Sequence, residues 1–519
     1  MESLPVPTAQ DAEARKRAPE TYFGTEHIKA DIERRTIRGG AVTIGYQVGK
    51  QALGIAETAI LSRLILPSDS GLIGMVVVVT GFIALFNDLG LSAATVQRES
   101  LDQKQVSTLF WINVAMGVLL GLVTALTAPV LAWFYAEPRL LAVTIAIAFG
   151  FVLGGMTVQH RALLKRQMRF ATLVKVDMTA TLAGTVCAIV AAALLPQHLR
   201  YWALVLALLI QSPVEIAGLW LACRWRPHLP SRGSGVRPML VFGGNLTGFR
   251  IVNYFARNLD NLLIGKFYGP AALGLYGKAY GLLLLPLRRI SDPFSTVAVP
   301  ALSRLNDAPE RYREFYLRMA SLVCLLTVPL VALMIGTSDW IIGVVLAPEW
   351  AGVSLLFALL GIAGLAEPIS NTTGWLFVSQ ARTGEQLRWG FISTGLTVAA
   401  IALGLIWGPV GVAASYGVVG LLIRTPLLFW YVGRRGHVRQ RDLYRAVAPF
   451  AYTAIAILLA LGAFRLLGAT ESYLLNLLIA GPLAGAVGLA TLALAPGGRA
   501  VLRHARELPA LLGARKEAA

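Results

Sequence analysis

The chain has 519 residues, of which 56% are hydrophobic, and its mean hydropathy is +0.64; this composition excludes an ordinary soluble protein and predicts a polytopic membrane protein. A net charge of +18 would suit a nucleic-acid-binding protein, but the Lys and Arg residues lie in short segments between apolar stretches, which indicates membrane topology instead. The three cysteines, Cys187, Cys223 and Cys324, are far apart and odd in number, so they predict neither a disulfide framework nor a metal site.

The N-terminal tail, residues 1–37, is polar and lacks the apolar core of a cleaved signal peptide. After it, hydropathy predicts an all-α membrane protein with about fourteen transmembrane helices. The predicted spans are 38–66, 71–94, 108–135, 141–159, 171–195, 200–222, 239–265, 271–300, 315–345, 351–378, 386–407, 410–432, 446–467 and 472–495.

Positive charge alternates from loop to loop along these spans. Basic clusters precede the first span and follow the second, fourth and sixth, whereas the loop at 67–70 holds no Lys or Arg. Because cytoplasmic loops carry the excess of Lys and Arg, both termini are expected in the cytoplasm. The last stretch, 496–519, is then a cytoplasmic tail.

The spans divide into two groups of six and an extra pair. A segment rich in Pro, Gly and Ser, residues 223–238, is expected to be a cytoplasmic linker between an N-lobe at 38–222 and a C-lobe at 239–432. The lobes match at an offset of about 204 residues, as in the pairing of Asp88 with Asp292, which is typical of tandem transporter repeats. The helices within 446–495 lie outside this repeat.

Charged residues inside the spans are the candidate functional residues. In the first span, Tyr46, Lys50 and Glu57 share one helical face, and Lys50 falls near mid-depth. A charge at mid-bilayer costs about 2.5–3.5 kcal/mol on insertion scales, so such a residue should face protein or a wet cavity.

The seventh span carries the strongest pattern. Arg250, Asn253 and Arg257 recur at steps of three and four, followed by Asp260 and Asn261, so these polar residues lie on one side of a helix. After the Gly-Pro turn at 269–270, the eighth span carries a second set of charges. They are Lys278, Arg288, Arg289 and Asp292.

These two helices predict a cavity lined with cations that receives an anion, with pairing among the charges or snorkelling to the interfaces as the competing interpretation. The candidate substrate-binding residues are Lys50, Arg250, Asn253, Arg257, Asn261, Arg288 and Arg289. The acidic residues Glu57, Asp260 and Asp292 are candidates either for H⁺ or Na⁺ coupling or for pairing with nearby arginines. No metal or cofactor site and no catalytic residue is predicted.

The stretch beginning at Arg257 also carries a family resemblance. The run Arg257-Asn-Leu-Asp-Asn-Leu-Leu-Ile-Gly-Lys266, then Ala272-Leu-Gly-Leu-Tyr276 and Pro300-Ala-Leu-Ser-Arg-Leu305, resembles the polysaccharide (Wzx-type) flippases. That family belongs to the superfamily that also contains the multidrug MATE exporters and the lipid II flippases. The segments 89–94 and 347–350 fit the same pattern.

The resemblance implies a two-lobed transporter of the bacterial inner membrane, with no enzymatic activity. Its substrate would be an oligosaccharide linked to polyprenyl (undecaprenyl) pyrophosphate, moved from the cytoplasmic to the periplasmic leaflet for exopolysaccharide, lipopolysaccharide or capsule synthesis. Membrane lipids and a polysaccharide polymerase with its co-polymerase would be its partners, and nucleic acid would not. The arginines suit such a substrate, because a planar guanidinium binds phosphate oxygens in a bidentate manner.

Three other functions compete with this interpretation. A MATE-like drug or cation antiporter would be expected to line its cavity with acidic residues rather than arginine. A membrane-embedded glycan polymerase would need a sizeable periplasmic loop, which the spacing of the spans does not provide. A lipid II flippase would bind a substrate with the same diphosphate.

Overall fold

The computed structural model describes residue 23 and residues 32–88, 90–98, 101–230, 237–503 and 505, except for the side chains of 32–44, 48, 237–253, 255–257, 285 and 288. Within these ranges the ordered elements are helices and no strand occurs. The chain divides into two compact units, Met1–Ala271 and Ala272–Ala519.

The first unit begins with eight helices. They are α1 (Ile32–Leu61), α2 (Pro67–Ala84), α3 (Leu91–Gln97), α4 (Gln103–Tyr135), α5 (Arg139–Gly155), α6 (Val158–Arg166), α7 (Phe170–Leu194) and α8 (Tyr201–Ala222). The next helix, α9 (Arg237–Arg304), is interrupted at Gly269, so that its first segment, α9a (237–268), lies in the first unit and its second segment, α9b (270–304), almost wholly in the second.

The second unit continues from α9b. Its helices are α10 (Pro309–Gly336), α11 (Ser338–Val345), α12 (Val353–Ser379), α13 (Thr383–Leu405), α14 (Gly408–Val419), α15 (Thr425–Gly433), α16 (Gln440–Leu467) and α17 (Tyr473–Leu494). A π-helical turn, Gly420–Arg424, joins α14 to α15, so the three form one continuous helix.

Ten of the described helices are long and apolar enough to cross a membrane, and the bent pair α5–α6 makes up to eleven. The all-helical membrane fold is therefore confirmed, but the count of fourteen is not. The three remaining predicted spans correspond to α1, α9a and α9b, which are the helices that carry the candidate site charges.

Small residues bring the helices of the first unit into close contact. A Cβ atom added at Gly117 of α4 would lie 2.5 Å from the carbonyl oxygen of Phe151 in α5, and one added at Gly155 would lie 2.5 Å from the carbonyl oxygen of Asn113. Because lipid tails are as apolar as leucine, packing of this kind, rather than the hydrophobic effect, holds membrane helices together.

The start of the predicted linker is packed against the first unit rather than extended from it. Trp225 is fully buried, and its indole N–H donates to Oε1 of Gln103 at 2.6 Å. Three residues later the backbone N–H of His228 donates to Oγ of Ser107 at 3.0 Å. Residues 223–228 therefore cover the first turns of α4, while 231–236 lie outside the described residues.

The core of the second unit is formed by α10, α12, α15, α16 and α17 with the end of α9b. Val501 lies in a short helical stretch, residues 498–503, after α17. It is 6% exposed and belongs to this core, so the first residues of the predicted C-terminal tail are packed against the second unit. The predicted span 315–345 is broken at Thr337, whose backbone is non-helical and whose hydroxyl donates to the Leu333 carbonyl at 2.7 Å.

Candidate substrate site

The break in α9 lies at the glycine of the predicted Gly-Pro turn. Gly269 has φ 78° and ψ −178°, a left-handed backbone that side chains disfavour. Pro270 follows it, lacks an N–H and cannot continue the ladder of helical hydrogen bonds. The sequence therefore separates α9a from α9b at this point, as the two predicted spans require.

Tyr254 fixes α9a against α2 in the first unit. Its hydroxyl donates to the carbonyl oxygen of Val78 at 2.7 Å, and its ring lies 6.0 Å from that of Phe82. A Cβ atom at Gly81 would lie 2.4 Å from the Tyr254 hydroxyl oxygen, so only glycine leaves room for this contact. Sequence reasoning did not single out Tyr254.

A second contact holds the end of α9a against α4. Twelve residues after Tyr254, the Lys266 ammonium donates to the carbonyl oxygen of Phe134 at the end of α4 and lies 4.7 Å from the centre of the Phe134 ring. At 1.5 Å per residue, Tyr254 lies about 18 Å from this end of the predicted seventh span, and a bilayer is about 30 Å thick.

Arg250 and Arg257 occupy α9a positions four residues before and three residues after Tyr254, on the same side of the helix as the tyrosine. Their side chains and that of Asn253 lie outside the described residues, so their predicted roles stay predictions. Asn261 is half-buried, and its backbone N–H donates to Oδ1 of Asp260 at 2.8 Å.

Asp260 is only 5% exposed. In α1, by contrast, the Lys50 side chain is exposed, and its ammonium lies 5.8 Å from the centre of the Tyr46 ring. One face of α1 thus presents this cation at the surface of the described structure. Further along α1, Oε2 of Glu57 accepts a hydrogen bond from the Thr185 hydroxyl of α7 at 2.9 Å, so Glu57 helps to join the two helices.

Two of the candidate residues of α9b are exposed on the second unit. Arg289 and Asp292 are exposed, and the side chain of Arg288 lies outside the described residues. The helix is attached to α12 by the Trp375 indole, which donates to Oγ of Ser295 at 3.0 Å. Lys278 lies with its ammonium 5.2 Å from the centre of the Trp350 ring.

The first unit contains an ion cluster between helices that sequence reasoning missed. The Arg161 guanidinium of α6 donates to both carboxylate oxygens of Asp177 in α7, at 2.7 and 3.2 Å, and to Oε1 of Glu215 in α8 at 2.5 Å. Asp177 and Glu215 are therefore paired with a cation from a neighbouring helix. Glu215 is the one charged residue of α8, and that isolation was the available signal.

The second unit contains two more missed charges. Glu367 lies in the middle of α12, and Arg424 ends the π-helical turn between α14 and α15. Each is the single charge of an otherwise apolar stretch, so a search for isolated charges within spans would have found both.

Two compact units of membrane-crossing helices, with charged residues inside several of them, define a multi-pass membrane protein of the transporter type. The fold is similar to that of the lipid II flippase MurJ in an inward closed conformation, with a TM-score of 0.67 and 14% identity over 88% of this chain and 98% of that one. It is also similar to an inward-facing multidrug resistance MATE family transporter, with a TM-score of 0.56 and 14% identity over 75% of this chain and 94% of that one.

The family model described as "Polysaccharide biosynthesis protein" matches residues 60–355, more than half of the chain, and the protein belongs to this family. Its relatives include the teichuronic acid biosynthesis protein TuaB of Bacillus subtilis (strain 168), 28% identical over 74% of this chain and 79% of the relative. The lipopolysaccharide biosynthesis protein WzxC of Escherichia coli (strain K12) is 25% identical over 75% and 80%. The succinoglycan biosynthesis transport protein ExoT of Rhizobium meliloti (strain 1021) is 22% identical over 72% and 76%.

Proposed function

We propose that this protein is a flippase that moves an oligosaccharide linked to a polyprenyl (undecaprenyl) diphosphate from the cytoplasmic to the periplasmic leaflet. The glycan would serve exopolysaccharide, lipopolysaccharide or capsule synthesis, with a polymerase and co-polymerase acting on it afterwards. The observation that carries the proposal is family membership across residues 60–355 combined with arginine positions inside α9a, the predicted seventh span.

The chemistry of the substrate supports this assignment. A diphosphate that crosses the bilayer must be kept out of hydrocarbon, and arginine binds phosphate oxygens bidentately. Arg250 and Arg257 are seven residues apart, about 10 Å along the helix axis. This separation suits successive contacts along the path better than a single clamp around one diphosphate.

The test uses purified protein in liposomes and a fluorescent polyprenyl diphosphate carrying one hexose. A membrane-impermeant quencher reaches only the fluorescent lipid in the outer leaflet, so flipping is measured as a decrease in the fraction of fluorescence that can be quenched. Arg250→Ala and Arg257→Ala should each weaken carrier binding about tenfold to a hundredfold, since a charge-assisted hydrogen bond contributes about 1.5–3 kcal/mol and 1.4 kcal/mol is a factor of ten. Arg250→Lys should show an intermediate defect, because it keeps the charge and loses the planar fork.

Arg441→Ala is the matched control, because Arg441 is exposed near the start of α16. If the arginines instead form a salt bridge that holds α9a in place, the alanine variants will lose folded protein, measured by size-exclusion chromatography. Normal flipping by well-folded Arg250→Ala and Arg257→Ala proteins would refute the proposed role of these residues.

Transport by alternating access predicts a water-filled cavity. Cysteines introduced at Tyr46, Asn253 and Leu284 should react with a membrane-impermeant thiol reagent, and the reaction rates should change when the lipid-linked sugar is added. Uniform protection at all three positions contradicts the cavity.

Coupling to H⁺ or Na⁺ is proposed for Glu57, Asp260 or Asp292, because acidic residues within membrane spans are rare and often relay ions. Transport is compared with and without an imposed pH or Na⁺ gradient, in the wild type and in the Gln or Asn variants. Transport that ignores both gradients and is unchanged in the variants would leave these residues with a structural role only.

A further inference from the structure

Two opposite charges lie at the same level on neighbouring helices of the second unit. The contact between α12 and the α14–α15 helix fixes their register: a Cβ atom at Gly417 would lie 2.7 Å from the Leu359 carbonyl oxygen, and one at Gly420 would lie 3.7 Å from Cβ of Ala363. Residue numbers increase in the same direction along both helices from the first contact to the second, so the two helices run in parallel. One turn further along each helix come Glu367 and Arg424.

Both charges lie deep within their helices. Glu367 is fourteen residues, about 21 Å, from the start of α12 and twelve residues, about 18 Å, from its end. Arg424 is nine residues, about 14 Å, from Gly433, where α15 ends. Both side chains are half-buried, and both lie more than two helical turns from the nearest described end of their helix.

The backbone is irregular in both helices at this level. Pro368 follows Glu367 inside α12 and removes the N–H that would bond the carbonyl of Gly364. Opposite it, the π-helical turn Gly420–Arg424 redirects the carbonyl of Gly420, which accepts a hydrogen bond from the Thr425 hydroxyl at 2.8 Å. Irregular backbone at membrane depth occurs where it is buried in protein or lines a wet cavity, and π-helical turns are frequent at functional sites.

The two charges remain apart although they share a level. Among the described residues, no carboxylate lies within 4.0 Å of the Arg424 guanidinium, and no basic group lies within 4.0 Å of the Glu367 carboxylate. The guanidinium lies instead 5.6 Å from the centre of the Tyr416 ring, and one of its terminal nitrogens would be 3.6 Å from a Cβ atom at Gly420.

Opposite charges in a dry interior attract each other strongly, so separate charges at this depth indicate water or a polar ligand around them. Asn371, one turn after Glu367 on the same face of α12, is exposed, whereas Ala363, one turn before Glu367, is buried. An exposed amide at membrane depth also indicates a wet surface, because hydrocarbon cannot satisfy its hydrogen bonds. This face of α12 is therefore buried before Glu367 and accessible to solvent after it.

We propose that Glu367, Asn371 and Arg424 form a sugar-binding site within the second unit, which holds the glycan part of the lipid-linked substrate. This inference rests on the proposed function. A carboxylate accepts hydrogen bonds from sugar hydroxyls, an amide both donates and accepts, and the guanidinium fork donates to ring oxygens or to an anionic substituent. The anion at Arg424 is either the carboxylate of an acidic sugar or the diphosphate of the carrier.

Binding to purified protein in nanodiscs tests the site with three probes: undecaprenyl diphosphate alone, the same lipid carrying one hexose, and the same lipid carrying one hexuronic acid. Glu367→Gln and Asn371→Ala should weaken binding of both sugar-bearing lipids, about tenfold for the former, and leave the bare lipid unchanged. Arg424→Gln should weaken the hexuronic acid lipid most, by about tenfold to a hundredfold. Arg388→Gln, at an exposed position near the start of α13, is the control.

Asn371→Ala removes an exposed side chain, so it keeps the test valid if a charge variant fails to fold. Equal weakening of all three probes by the Glu367 and Arg424 variants would overturn the site, since it would indicate an ion pair that closes during transport. Loss of the bare lipid in Arg424→Gln would assign the diphosphate to this residue and overturn its contact with sugar. Unchanged binding of all probes in all variants would overturn the inference alone, whereas a wild-type protein that binds none of them would overturn the proposed function.

Discussion

Removal of the Arg161 guanidinium is expected to destabilise the first unit strongly. Arg161 joins three helices, because it donates two hydrogen bonds to Asp177 and one to Glu215. The three side chains are 29%, 23% and 24% exposed, so solvent screens them only in part. Arg161→Ala leaves two carboxylates close together without a cation.

The magnitude follows from this geometry. Breaking a buried ion pair by removing one partner typically costs about 3–5 kcal/mol, because the remaining charge is uncompensated. Two remaining carboxylates place Arg161→Ala at the upper end of this range. Asp177→Asn should cost less, since Glu215 keeps the charge balance and the amide oxygen can still accept a hydrogen bond from Arg161.

The assay is thermal unfolding of detergent-solubilised protein, followed by fluorescence-detected size-exclusion chromatography, with Arg441→Ala as the exposed control. A combined variant, Arg161→Met with Asp177→Leu and Glu215→Leu, should recover most of the lost stability, because apolar replacement of a whole buried ion cluster is often neutral or stabilising. An Arg161→Ala protein that unfolds at the wild-type temperature would refute this reasoning.

Three further outcomes are expected. Gly81→Ala should lower the thermal stability and disturb the α2–α9a contact, because its Cβ would lie 2.4 Å from the Tyr254 hydroxyl. Gly45→Ala, with no atom within 4 Å of its Cβ, should be tolerated. An equal loss of thermal stability in the two variants would contradict the contact. Burial raises the pKa of the Cys223 thiol to about 11. Maleimide labelling of Cys223 at about pH 8 should therefore be at least about a hundredfold slower than in the denatured chain. Fast labelling of the folded protein would show that residues 223–228 are not packed. Arg313→Ala should cost at most about 1 kcal/mol of unfolding free energy, because this arginine is 45% exposed and its ion pair with Asp442 is screened by solvent. Asp442→Ala should cost more, because its carboxylate is 4% exposed and also caps the first turn of α16. The reverse order in chemical unfolding would refute this.

Periodicity and residue type predicted those parts of the fold that depend on local sequence. About twenty apolar residues are needed to cross a bilayer, so hydropathy located the ten or eleven apolar helices. Two predicted spans ended too late: 71–94 is a helix that ends at Ala84, and the first helix of 315–345 ends at Gly336. The Gly269-Pro270 pair predicted the break in α9, because the left-handed φ of glycine and the missing N–H of proline act at one point of the chain. The motif that begins at Arg257 indicated the family that residues 60–355 match.

Contacts between distant residues were decided by the tertiary structure. Tyr254 and Val78 are 176 residues apart, and Arg161 and Glu215 are 54 apart, so no local pattern could pair them. A hydropathy average over a span also dilutes a single charge, which is why Glu367 and Arg424 drew no attention in the sequence. Their relation became visible only in the register of two parallel helices, because helical spacing gives the face of each residue but not the neighbouring helix or its level.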